Sequence, residues 1–201
     1  MTRNSKVAAI AVAAGAVLVL GGCGGGGGTA AGASSSAPAS GTPAGTPSGT
    51  SSGQEMSPVV TLEDAGATAV KRVSGGTLVS IELEDGGAVW ETQVVAADGT
   101  EHAIDVATSG GKVTSAHVKQ ESAAKRAEHR KRVSAAKLGY AAAAGKMRAA
   151  VPGGKITELN LDDHRGTTVW EGDVHAGNVK HEVRLNAASG TIITNRTASG
   201  D

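Results

Sequence analysis

Six histidines, one cysteine and 19 acidic side chains are the residues of this chain best equipped for chemistry. His175 and His181, with Asp173 nearby, fall on neighbouring expected strands, and Asp162-Asp163-His164 falls in an expected turn. None of these spacings follows a zinc-ligand pattern, and a single cysteine cannot supply a thiolate pair. The expectation is therefore no metal site and no cofactor. Serine, histidine and aspartate are all present, but no nucleophile sits in an elbow or beside a glycine-rich turn, so no catalytic residue is assigned. Glu82, Glu84, Asp85, Glu91 and Glu101 make one side of the first half acidic. They are candidate binding residues for cations or a partner, weighed against a solubilising sheet face. Lys125, Arg126, Arg130, Lys131 and Arg132 form the basic cluster. It suits contact with anionic lipid or wall polymer, pairing with the acidic half, or an ordinary charged helix face.

Charge and composition limit the alternatives. The chain holds 19 basic and 19 acidic residues, and the balance changes along its length. Residues 59–118 carry a net charge of −6, residues 119–132 a net of +4, and residues 133–201 a net of +1. Such a balance gives no overall attraction for nucleic acid. With 30 glycines, two tryptophans, one tyrosine and no phenylalanine, the available cores are small. A unit of about 60 residues buries only roughly 60% of its unfolded surface, so it is marginal alone.

The N-terminus reads as an export signal. Arg3 and Lys6 precede an uncharged apolar run over residues 7–20. As a helix those residues rise about 21 Å, short of the roughly 30 Å hydrocarbon core of a membrane. A signal peptide at 1–22 fits better than a membrane span. Leu20-Gly21-Gly22-Cys23 resembles a bacterial lipobox, which implies diacylglyceryl transfer to the Cys23 thiol and cleavage before it. The protein is then held by lipid at the outer face of the bacterial cell membrane. Because Cys23 is the sole cysteine, no intramolecular disulfide forms. Residues 23–58 follow as a Gly/Ala/Ser/Thr/Pro stretch too poor in apolar side chains to offset ordering entropy, hence a disordered linker.

Beyond the linker the sequence repeats. Residues 86–94 read GGAVWETQV and residues 166–174 read GTTVWEGDV, each around one of the two tryptophans, Trp90 and Trp170. Gly75-Gly76 aligns with Gly153-Gly154, and Val79, Ile81 and Leu83 align with Thr157, Leu159 and Leu161. The gaps in the alignment fall in turns, where insertions are tolerated. The organisation expected is two tandem repeats, at 59–118 and 133–201, joined by a charged helical connector at 119–132.

Each repeat reads as a helix followed by an antiparallel meander of three to four strands, an α+β fold. Thr61 caps a helix whose first turn carries Glu63 and Asp64, and Leu62, Ala65, Ala69 and Val73 give it one apolar stripe. Val133, Ala136, Tyr140, Ala144, Met147 and Val151 give the stripe of the second helix. The connector lacks Pro and Gly, and the pattern suggests that it runs on into that second helix as one rod of about 50 Å. Ile81, Leu83, Leu159, Leu161, Trp90 and Trp170 are the expected core.

Trp90-Glu91 with the run from Ile104 to Val113, and Trp170-Glu171 with the run from Val183 to Ile192, resemble the PepSY domain, covering about 55–60 residues of each repeat. Where that family usually has Tyr-Glu, this chain has Trp-Glu. The family's aspartate is kept loosely, with Asp105 one residue early and Asn186 in its slot in the second repeat. The resemblance implies a non-catalytic envelope module. It also implies a secreted peptidase or other envelope protein as partner, the membrane itself being engaged through the Cys23 lipid. An acidic module binding cations or small ligands, and a purely structural accessory lipoprotein, are the alternatives. Oligomeric state has no signature in the sequence.

Overall fold

A computed structural model describes residues 59–198. Leu20, Gly21, Gly22, Cys23 and the linker 23–58 lie outside the described residues. The first half opens with helix α1 (Leu62–Val70), followed by strands β1 (Thr77–Glu84), β2 (Val89–Val95), β3 (Glu101–Ala107) and β4 (Val113–Val118). Helix α2 (Ala123–Ala135) then leads to helix α3 (Tyr140–Ala150). Strands β5 (Lys155–His164), β6 (Thr167–Ala176), β7 (Val179–Asn186) and β8 (Ile192–Ala198) complete the order. No helix among the described residues is long and apolar enough to cross a membrane.

The eight strands form one antiparallel sheet, in the order β4-β3-β2-β1-β5-β6-β7-β8. That order reads outward from a central seam, where β1 pairs with β5 through Ser80↔Asn160, Ile81↔Leu159 and Glu82↔Glu158. Ile81 and Leu159 occupy equivalent positions in their helix-plus-meander halves, so the seam is close to two-fold about this pair. Both side chains are fully buried. Each opening strand also carries an irregularity immediately before the seam, at Leu78/Ser80 in β1 and Ile156/Glu158 in β5. These bulges flip the alternation, so Leu78 and Val79 are both buried in β1.

Helices α1 and α3 cover one face of the sheet and bury a single core. The Thr61 hydroxyl accepts from the Asp64 amide and caps α1. Trp90 and Trp170 are 5% and 1% exposed. Their indole nitrogens donate to equivalent carbonyls just before the two helices: Trp90 Nε1 to Val60 O at 3.0 Å, Trp170 Nε1 to Leu138 O at 2.8 Å. Each tryptophan therefore fills the core and fixes where its helix begins. Leu83, expected in the core, is only partly buried and packs against its margin. Arg148 of α3 grips the Glu63 carboxylate of α1 with both terminal nitrogens, at 2.5 and 3.0 Å, and Tyr140 donates to Glu63 O.

The single rod expected from the connector does not form. α2 ends at Ala135, Ala136 is extended (ψ 120), and α3 starts only at Tyr140. The N–H groups of Lys137 and Leu138 both donate to Ala187 O instead of continuing the helical ladder. Sheet-side hydrogen bonds, together with the Trp170 bond to Leu138 O, outweigh the helical preference of this stretch. The second helix is accordingly shorter than the stripe beginning at Val133 suggests.

Candidate functional site

With α1 and α3 on one face, the other face of the sheet is lined by the residues that alternate with the core. Strand register places Asp105, Glu91, Glu82, Glu158, Asp173 and Glu182 in one row, on β3, β2, β1, β5, β6 and β7 respectively. Six adjacent strands thus each contribute a carboxylate, with Ser115 and Arg196 at the two ends of the row. Like charges directly opposite one another on a sheet are unfavourable. Some of the strain is relieved locally: Lys180 pairs with Asp173 at 2.5 Å, and Asn160 Nδ2 donates to Glu158 Oε1. The rest appears as a raised affinity for protons. Burial first, then the charges of Asp173 and Glu82, push the Glu158 carboxyl up to about 7. Burial and Glu84 raise Glu82, and burial with Asp105 raises Glu91.

The row makes stability depend on pH. A carboxyl whose folded pKa is raised favours the folded state most below its unfolded value, and that contribution is lost as pH rises through the folded value. For Glu158 the window runs from 4.5 to about 7. Thermal melts should show the fold losing about 1–2 kcal/mol from this group between pH 5 and pH 8, after allowing for solvent screening of a half-exposed carboxyl. Glu158→Gln should flatten that profile and be the more stable protein at pH 8. An unchanged profile in the variant would remove Glu158 as its source.

The candidate residues divide between two places. Glu82 and Glu91 are direct partners in the row, and Glu84 lies beside them; Asp85 sits at the exposed tip of the β1–β2 turn with φ 52. Lys125, Arg126 and Arg130 all lie on α2, with Lys125 and Arg130 exposed. Lys125 pairs with Glu128 at 3.2 Å, Arg130 donates to Asp98 O at 2.6 Å, and the Arg126 backbone lies over Gly99. Arg126 and Arg130 hold α2 down on the β2–β3 turn, whereas the Lys125 pair lies within α2 itself. Gly99 has φ +88, and a Cβ there would come within 2.2 Å of Arg126 O, so only glycine allows this contact.

Under α2 the structure gathers three residues that no sequence spacing brings together. His129 of α2 is 3% exposed, and its Nε2 lies 3.4 Å from Glu101 Oε2 and 3.1 Å from Glu121 Oε2. Glu101, at the start of β3, is 4% exposed and is also held by Lys119. With its amide nitrogen turned toward Glu101, Gln93 donates to Glu101 Oε1 at 3.2 Å and accepts from Lys119 at 3.0 Å. Glu121 Oε2 and His129 Nδ1 are buried and make no hydrogen bond. The sequence reading placed Glu101 on an acidic surface and assigned no role to His129 or Glu121. The one local hint was a histidine facing inward from an otherwise charged helix.

A cleft of about 310 Å³ lies between α2 and the neighbouring strand ends, lined by Val95, Val133, Arg130 and Ser134 among others. Its lining holds no carboxylate or histidine to activate Ser134, so it offers no nucleophile–base pair.

Comparison with known proteins identifies the second half. Residues 132–195 match the family model described as "Peptidase propeptide and YPEB domain", PepSY. The segment is PepSY-like. The match begins in the last turn of α2 and runs through α3 to β8, so the PepSY-like segment contains Trp170 and one side of the central seam. Among solved structures, the chain is similar to a "putative lipoprotein" from Clostridium difficile 630, at 14% identity and a TM-score of 0.46. That alignment covers 72% of this chain and 97% of the other. No curated protein matches the chain.

Proposed function

We propose that this protein is a non-catalytic lipoprotein at the outer face of the bacterial membrane, anchored through Cys23, whose two PepSY-like repeats bind a protein or peptide partner. The domain limits are those of the sequence repeat, 59–118 and 133–201, with 119–132 as connector. The supporting observation is the pair of open sheet edges. Among the described residues, β4 and β8 each have a strand neighbour on one side only, and β8 exposes Ile192 (38%) and Ile193 (47%). An exposed edge with apolar side chains is suited to accept an extended segment as an added strand. A secreted peptidase is the proposed partner, because the family description names a peptidase propeptide.

The test is proteolysis by the host's secreted peptidases, followed in time with the full chain added. Slowed proteolysis that disappears on heat-unfolding the chain is the expected result. An Ile192→Lys/Ile193→Lys double variant should weaken restraint about tenfold, the loss of one modest interface anchor. Proteolysis unaffected by the folded chain would reject the peptidase reading. A second reading, an acidic envelope module that attracts cations, is favoured by the six-carboxylate row. It would use the open face rather than the edges, so edge substitutions would leave it intact.

A further inference from the structure

We propose that Glu101, Glu121 and His129 form a binding site for a divalent transition cation of the zinc type, clamping α2 to the sheet. One ligand atom from each residue can be chosen so that all three lie within 4.8 Å of one another. Imidazole nitrogen with carboxylate oxygens is a donor set that zinc accepts, at about 2.0–2.2 Å per bond. Two donors on adjacent corners of a tetrahedron with such bonds are about 3.3–3.6 Å apart. The Nε2-to-oxygen separations of 3.1 and 3.4 Å lie close to that spacing.

A proton accounts for the geometry less well. Nε2 carries at most one hydrogen, yet it faces both oxygens of Glu121, at 3.2 and 3.1 Å, and Oε2 of Glu101. None of these distances falls in the 2.7–2.9 Å range of a charge-assisted bond. The buried Glu121 Oε2 remains without a hydrogen bond. The surroundings suit a metal. Lys119 and Gln93 both engage Glu101 Oε1, which leaves Oε2 turned toward His129. Outer partners of this sort orient a ligand for its metal.

The three residues come from the start of β3, the segment after β4, and the middle of α2. A bound cation would therefore tie the helix linking the two halves to the edge region of the first. Its three ligands are members neither of the carboxylate row nor of the outer strands β4 and β8, so it stands or falls independently of the proposed partner binding.

The test is calorimetric titration of Zn²⁺ into the full chain carrying Cys23→Ser, which removes the thiolate as a competing ligand. Co²⁺ absorption serves as a second readout. One equivalent should bind and raise the melting temperature. His129→Gln and Glu121→Gln should each weaken binding about tenfold or more. Glu82→Gln/Glu158→Gln on the open face and His175→Gln should bind as the parent does. Far-UV circular dichroism checks folding, and Glu121→Gln stands in should His129→Gln fail to fold. No binding by the parent, or binding equally strong in the Glu121 variant, overturns the site and leaves His129 as a proton bridge between two carboxylates.

Discussion

Trp170→Ala is expected to cost about 3–5 kcal/mol and to unfold both halves of the sheet together. The indole is 1% exposed, lies in the core under α3, and holds the entry to that helix through its bond to Leu138 O. Alanine would leave a cavity and also free a partly buried carbonyl. Stabilities of this size class are commonly 5–15 kcal/mol, so the variant would be close to unfolded at ambient temperature. Urea unfolding followed by the fluorescence of the remaining Trp90 is the measurement. A Trp90 transition that does not move would show that the first half does not depend on the second.

Leu159→Ala is the other large effect, about 2–5 kcal/mol, with a different signature. Leu159 pairs with Ile81 at the centre of the seam, and both are fully buried. The seam has three residue pairs, whereas each meander is paired along most of its strands. Truncation there weakens the connection between halves more than either half itself. Native-state amide hydrogen exchange, read separately over β1–β4 and β5–β8, should then report two separate transitions where the parent shows one. A single shared transition in Leu159→Ala would mean that the joint core beneath the helices, rather than the seam, couples them.

Much of the secondary structure was legible because its determinants are local. Thr61 before Glu63-Asp64 marks a helix start, and Asp98-Gly99 marks a tight turn. Val-Trp-Glu read in alternation gives a strand with its indole inward, and both indoles are inward. The α+β antiparallel character follows from such signals. What was not legible depends on distant groups. Nothing in Ala136-Lys137-Leu138 announces that two of its amides will bond to Ala187, so the helix break was read as continuous helix. The carboxylate row requires the β1–β5 register and the bulges that shift it, neither of which alternation alone supplies. The Glu101–Glu121–His129 cluster draws on three elements brought together only when α2 docks over Gly99.

A strand that pairs with its own counterpart can in principle pair with itself in another molecule. The contact across Ile81 and Leu159 is of the isologous kind, in which the same patch serves on both sides. Two separate half-length chains, each with such an edge, could meet through the same strand. Carrying both halves in one polypeptide makes the encounter intramolecular, independent of concentration. It also lets the two halves carry different side chains. The Tyr140 ring packed where Gly66 has no side chain, and the Arg148 grip on Glu63, are contacts that two identical chains could have made only by carrying both partners at once.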